Sequence, residues 1–182
     1  MQPWRRIDDG GEIQQVGHKC VEMKRFVMNS GKEMVATIAN ASADMASIVI
    51  PITRNNKIVI ARQFRCGPER VLDELPGGMV DSGETPQMAA QRELIEETGY
   101  QAERLEYIGE AYVNAWSNTI HHFYIGYGCK KVSDAPNPDE NEEIEVDEIS
   151  IAQLLKNAKS ANMTDAVGVL LAYDTLKALE NK

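Results

Sequence analysis

The sequence predicts an α+β or layered αβα arrangement of strands and helices, with a small β extension ahead of it. Three observations carry this. Strand-like stretches of loose period two fill the first half of the chain. One helix with clear start and stop signals interrupts them at about 86–98. Further strand-like stretches follow, and the chain ends on helices, an order that suits a sheet covered on both faces. At 182 residues the chain suffices for one domain with a sizeable core plus a small extension.

Taken in order, residues 1–41 form the N-terminal β extension. Within it "HKCVEMKRFVM" and "EMVATIA" alternate around "NSG" and predict a hairpin in a two- or three-stranded piece. Residues 42–182 form the main domain. "MASIVIPIT" and "KIVIARQF" are richer in Ile and Val and flank "RNN", which predicts a second, more deeply buried hairpin. "RCGPERVLDE" is expected as a loop leading to "LPGG". Thr85 suits a helix N-cap, Pro86 the first helical position, and Gly99 the left-handed residue that ends the helix. "LEYIGEAYVNAW" and "HHFYIGYGCKKV" read as strands, and "SDAPNPDENEE" as an acidic loop. "EIEVDEIS" is a short strand ending at a cap, Ser150. Two helices follow, over 151–159 and 165–180. The second carries an apolar stripe of Val167, Leu170, Leu171, Tyr173 and Leu176.

Composition narrows the function classes. Hydrophobic content of 43% and charged content of 26% are those of an ordinary soluble protein. A net charge of −9 disfavours binding along a nucleic acid, whose phosphates call for counterion-releasing basic contacts. A small anionic ligand stays compatible with that charge when a metal cation bridges the two. Cys20, Cys66 and Cys129 lie far apart and are odd in number, which gives neither zinc spacing nor a disulfide framework and leads to the expectation of a reducing cytoplasm. The opening residues contain no apolar core of a secretory signal, and no run approaches 18 apolar residues, so no membrane span is expected.

The chemistry concentrates in "LPGGMVDSGETPQMAAQRELIEETGY". On a helix, Glu93 and Glu97 stand four apart on one face with Glu96 beside them, while Leu94, Ile95 and Met88 turn toward a core. Arg92 lies four before Glu96 and can pair with it. Two carboxylates about 5 Å apart repel by roughly 3 kcal/mol at an effective dielectric near 20, and by under about 1 in water. Such a cluster is cheap on a solvated face, which is the plain alternative for "RELIEE" taken alone. Inside a cleft it needs a cation.

The flanking residues point to the second case. The stretch resembles the box of the Nudix hydrolases, G-x5-E-x7-R-E-U-x-E-E-x-G-U, where U is bulky and apolar. Gly78, Glu84, Arg92, Glu93, Leu94, Glu96, Glu97 and Gly99 all match, and Tyr100 alone departs, being aromatic at the last apolar position. The resemblance implies an αβα sandwich of mixed sheet between helices, and hydrolysis of a nucleoside diphosphate linked to another group. It implies Mg²⁺, with Mn²⁺ as a substitute, held by Glu93, Glu97 and the backbone carbonyl of Gly77. Oxygen ligands suit these hard cations. Glu96 either joins the metal shell or holds Arg92, the second role being favoured.

The resemblance extends past the box. "ARQFR" followed by "ELPGG" is similar to the ADP-ribose pyrophosphatase branch and its nucleotide-sugar relatives, which implies that Arg65 faces phosphate and Glu74 sits beside the substrate or metal. A solvated arginine and a surface carboxylate are the plain alternatives. "DENEEIEV" is similar to the branch's stretch that supplies a base and a further metal ligand. That implies Glu140 as general base and Glu142 as ligand, with Glu142 or Glu143 as rivals for the base. Where the ADP-ribose branch carries a proline this chain has Ala115, which favours a broader nucleoside diphosphate sugar hydrolase. Trp116 either stacks on a base or sugar or packs at a loop–core boundary, and His121 and His122 read as structural. In the resembling branch the extension packs across a two-fold axis and lends residues to the partner's site, so a homodimer is expected. A catalytically silent domain that senses nucleotide sugars, and a hydrolase of dinucleoside polyphosphates, are the rival functions.

Overall fold

Strand pairing and turn chemistry build two units in the computed structural model, which describes residues 1–8, 10–11, 13–16, 19–39, 44–133 and 143–180. One unit comprises Met1–Met45 with Tyr112–His121, the other Ala46–Ala111 with His122–Lys182.

The first unit is a four-stranded sheet of β1 (Arg5–Arg6), β2 (Ile13–Val16), β3 (Lys19–Val27) and β4 (Glu33–Ala39). The expected hairpin is β3–β4, paired antiparallel from Val21–Ala39 to Val27–Glu33. Its turn closes with the Met28 N–H on the Lys32 carbonyl, and Gly31 takes φ +81°, where a side chain would be strained. Strands β1 and β2 add to the other side of β3. "IQQV" and a bare Arg-Arg pair have no hydrophobic alternation to announce them; pairing with β3 makes them strands. The Ala39 N–H donates to the Trp116 carbonyl at 2.8 Å, which ties segment 112–121 to this sheet.

The second unit holds the main core. β5 (Met45–Thr53) is buried from Ala46 onward, which explains its near-continuous apolar run. Ile48, Ile50 and Ile52 pack into one cluster with Phe123, Ile125, Leu154 and Leu176, while Val49 packs into another with Ala90, Leu94 and Tyr124. Successive strand residues point to opposite faces, so these two clusters are the two sides of one sheet. The helix carrying Ala90 and Leu94, α1 (Pro86–Thr98), covers one side. The other is covered by α2 (Ile151–Ala158), α3 (Ala166–Leu171) and α4 (Tyr173–Glu180). The αβα layering is as expected.

Strand β5 meets β6 (Lys57–Arg65) antiparallel at Ile52 and Ile58, next to a turn in which Asn56 has φ +56°. Two short strands then take up the inner edges. β7 (Arg70–Glu74) pairs with β6 from Arg65 to Ala61, and β8 (Gly77–Met79) pairs with β5 from Ile48 to Ala46. Part of "RCGPERVLDE", expected as a loop, is therefore strand β7; its charged residues hid it, its two acids Asp73 and Glu74 being paired with Arg62 and Arg65 of β6. β9 (Tyr100–Gln101), β10 (Arg104–Tyr112), β11 (Ile120–Lys131) and β12 (Ile144–Ser150) complete an eight-stranded sheet with the path β10–β11–β5–β6–β12.

Two helix expectations need correction. The single helix over 165–180 is two segments parted at Ala172. Its large apolar residues Val167, Leu170, Leu171 and Tyr173 are exposed, while Gly168, Val169, Ala172 and Leu176 face the core. At Gly168 the helix lies too close to the sheet for a side chain: a Cβ there would stand 2.6 Å from the Phe123 ring. Met88 on α1, assigned to the core from its position, is also exposed, while Leu94 is buried as expected.

Candidate active site

Helix α1 is set by its ends. The Thr85 side chain accepts from the Met88 N–H, Pro86 opens the first turn, and Gly99 closes the last with φ +72°. Ser47 on β5 donates to the Pro86 carbonyl at 2.6 Å and anchors the helix start to the sheet. These fixings present Arg92, Glu93, Glu96 and Glu97 to strand β8.

The two glycines of "LPGG" answer different neighbours. A Cβ on Gly77 would meet the Ser47 carbonyl oxygen at 2.4 Å and the Ile48 Cα at 2.9 Å, so Gly77 lets β8 lie against β5. A Cβ on Gly78 would meet Glu93 Oε1 at 2.2 Å, so Gly78 leaves room for that carboxylate. The Gly77 N–H donates to Glu97 Oε2 at 2.9 Å, and Glu97 is buried. Arg92 is the hub of the remaining acids. Its Nε and Nη2 donate to the two oxygens of Glu84 at 3.1 and 3.0 Å, and its Nη1 to Glu93 at 2.8 Å and Glu96 at 2.9 Å. Nη2 also donates to the Met79 carbonyl at 3.0 Å. Hydrogen bonding to Arg92 holds the Glu84 carboxyl below the usual range, and Glu84 in turn raises the guanidinium further above its own. A polar cleft of about 380 Å³ lies here, lined by Gly77, Gly78, Met79, Asp81, Arg92, Glu93 and Glu96.

A second group flanks the same corner. Arg65 donates from Nε to Glu74 Oε2 at 2.6 Å, and its Nη2 stands 2.5 Å from the same oxygen. Glu74 is 1% exposed, so it is no surface carboxylate, while the Arg65 side chain stays 42% open. Burial works against the Arg65 charge, but the Glu74 hydrogen bond and the charges of Glu74, Asp165 and Glu97 outweigh it and keep the guanidinium firmly protonated.

This geometry is that of the expected box, and the NUDIX domain family matches residues 44–167. The chain belongs to the Nudix family. Among its relatives, the methanol dehydrogenase activator of Bacillus methanolicus is 36% identical over 69% of this chain and 68% of its own length. The ADP-ribose pyrophosphatase of Bacillus subtilis is 34% identical over 66% of each chain. The GDP-mannose pyrophosphatase of Escherichia coli is 33% identical over 69% of this chain and 70% of its own. The crystal structure of an ADP compounds hydrolase superposes with a TM-score of 0.80 over 98% of this chain and 96% of that one, at 19% identity, and so shares the fold. The expected Nudix fold and hydrolase class are borne out.

Of the residues singled out from the sequence, the structure gathers Gly77, Glu93 and Glu97 at the β8–α1 corner and joins Arg65 to Glu74. Glu96 holds Arg92. Glu140 and Glu142 lie outside the described residues. Trp116 is 53% exposed. His122 stands 3.4 Å from Glu110 and beside Tyr107.

Nudix hydrolases in general use divalent cations. Among the described residues no three His, Cys, Asp or Glu side chains are already drawn into a metal cage. The donor set nevertheless fits a hard cation: Glu93 and Glu97 offer carboxylate oxygens against the Gly77–Gly78 backbone. Thr164 and Asp165 belong to the site's surroundings and were not singled out. The Thr164 hydroxyl donates to Glu74 Oε1 at 2.9 Å and the Leu75 N–H to Asp165 Oδ2 at 3.3 Å. In sequence, "TDA" before an apolar run signals only a helix start.

Proposed function

We propose that the protein is a Mg²⁺-dependent hydrolase that cleaves the diphosphate of nucleoside diphosphate sugars to a nucleoside monophosphate and a sugar phosphate. The observation that carries this is the assembled box, with Arg92 gripping Glu84, Glu93 and Glu96 while Glu97 lies under the Gly77 N–H. A domain that only binds a nucleotide has no need of that whole set. The relatives named for ADP-ribose and GDP-mannose pyrophosphatase activity support the substrate class.

Glu93, Glu97, the Gly77 carbonyl and Glu142 would hold Mg²⁺, or Mn²⁺ in its place. When bound, the cation neutralises the diphosphate and lowers the pKa of coordinated water. Arg92 keeps Glu93 and Glu96 in fixed rotamers so that little reorganisation is needed. Arg65, steadied by Glu74, turns its open side to the diphosphate. Glu140 accepts the proton of the attacking water as its oxygen bonds to phosphorus and the bridging P–O bond breaks. The protein acts as a homodimer. Its three cysteines are free, which suits the cytoplasm; among the described residues no helix is long and apolar enough to cross a membrane.

The test is a panel of ADP-ribose, ADP-glucose, GDP-mannose, UDP-glucose and diadenosine polyphosphates with millimolar Mg²⁺, read by product identity. Nucleoside monophosphate and sugar phosphate from at least one sugar, and no turnover in excess chelator, are expected. Binding without turnover would instead make the protein a nucleotide-sugar sensor.

A further inference from the structure

The loop between α2 and α3 makes a series of contacts with β7 that a plain connection does not require. The Asp73 N–H donates to the Asn162 carbonyl at 3.0 Å, and Arg70 donates to Asn162 Oδ1 at 3.2 Å. Asn157 at the end of α2 donates to Asp73 Oδ2 at 3.0 Å. The contacts then reach the last strand residue and the one beyond it, as Thr164 bonds the Glu74 side chain and Asp165 the Leu75 backbone. The loop thus runs as a splint along 70–75 and stops two residues short of Gly77.

Asp165 is placed unusually for its type. It occupies the N-cap of α3, where Asp ordinarily accepts from its own helix, yet it makes no capping bond. Its carboxylate turns to the Leu75 N–H instead and lies among protein atoms beside Glu74 and Arg65. Leaving a helix end uncapped and bringing a second carboxylate near Glu74 both cost stability. The contacts made in return bear on the residues that set the site. Glu74 is the anchor of Arg65, and Leu75 leads through Pro76, whose carbonyl accepts from the Val49 N–H, to the Gly77 N–H that holds Glu97.

We propose that Thr164 and Asp165 form a positioning clamp for the diphosphate site, fixing Arg65 through Glu74 and the Gly77 backbone through Leu75. Neither residue touches substrate; both act through their partners. The proposal rests on the nucleotide-sugar reading, in which Arg65 grips the diphosphate.

Steady-state kinetics on the best sugar of the panel, with Asp165→Ala, Asp165→Asn and Thr164→Val, tests it. Asn keeps an oxygen acceptor for the Leu75 N–H, whereas Ala removes it. Losing one such hydrogen bond is worth about tenfold, so Asp165→Ala and Thr164→Val are each expected to raise KM about tenfold with a smaller change in kcat, because Arg65 serves ground state and transition state alike. Asp165→Asn is expected to recover the wild-type KM. Wild-type KM in folded Asp165→Ala overturns the clamp, as does a failure of Asn to recover it. Amide hydrogen exchange gives a readout that does not depend on turnover. The Leu75 and Gly77 amides are expected to exchange at least about tenfold faster in Asp165→Ala than in wild type or Asp165→Asn. If wild type turns over no sugar, the functional reading fails and exchange still decides the clamp: unchanged protection at Leu75 and Gly77 overturns it.

Discussion

Gly77 and Gly78 are adjacent and both lack room for a side chain, yet they meet different obstacles. The atoms facing Gly77 are backbone, the Ser47 carbonyl and the Ile48 Cα, which cannot move without disturbing β5. The atoms facing Gly78 are the end of the Glu93 side chain, which can swing away. Gly77→Ala is therefore expected to destabilise the fold by about 2–4 kcal/mol. Gly78→Ala is expected to change stability by under about 1 kcal/mol while lowering kcat about 10²-fold, since a displacement of about 1 Å at a reacting centre has that effect. Urea unfolding and Mg²⁺-dependent turnover of both variants check this, and equal stability loss in the two would sink the distinction. The meeting of Gly78 with Glu93 was legible because the box fixes both residue types at fixed spacing. Thr164 and Asp165 were not, because their partners Glu74 and Leu75 lie 90 residues away in each case, and no local pattern records such a pairing.

At the level of elements, α1 was readable to the residue because its cap, its proline and its closing glycine are local signals. The inward face of α3 was misread because closeness to Phe123, set by β11, calls for a glycine at 168, while Leu176 of α4 is buried as expected. The α2–α3 connection has a pH signature of its own. Burial, and then the charge of Glu74, push the Asp165 carboxyl up to about 6, against partial relief from the Leu75 N–H, Arg65 and Thr164. The unfolded group titrates near 3.9. Between about 4 and 6 the folded chain thus binds the extra proton, so the contribution of Asp165 to stability falls as pH rises through that window. Glu84, held low by Arg92, has the opposite sign and loses its contribution on acidification. Comparing wild type with Asp165→Asn cancels Glu84 and isolates Asp165. The variant is expected to gain on wild type between pH 4 and pH 7, by at most about 3 kcal/mol, measured as urea unfolding free energies. A difference that stays constant with pH would show that Asp165 ionises as freely in the fold as out of it.

At the scale of the whole molecule, the first unit presents a sheet whose core is thin. Among its described residues the buried ones include Ala36 and Glu22, the latter satisfied by Arg6, Lys24 and the Gly11 N–H. By register, Val16, Met23 and Val35 share one face of the sheet, and they are 62%, 42% and 58% exposed. These apolar side chains share the face with Thr37 and the Arg25–Glu33 ion pair, and on so small a sheet they gain from covering by another surface. The expected homodimer supplies one, consistent with a two-fold contact in which each copy offers the same patch. Light scattering of the 20.2 kDa chain at micromolar concentration is expected to give twice that mass. On an exposed face of a monomer, Met23→Lys with Val35→Lys would change stability by no more than about 0.5 kcal/mol per site. In a dimer that buries this face, the pair of charges lacks partners and desolvation drives the copies apart. The double variant is therefore expected to run at the monomer mass with its thermal unfolding profile still cooperative. Turnover is expected to fall in step with dissociation, because in the resembling branch each extension serves the other copy's site. Deleting residues 1–41 should have the same two effects, with the added loss of the bond from the Ala39 N–H to the Trp116 carbonyl. A wild-type chain that stays at monomer mass up to high micromolar concentration rules the dimer out. A monomeric double variant with full turnover keeps the dimer and rejects the sharing of sites.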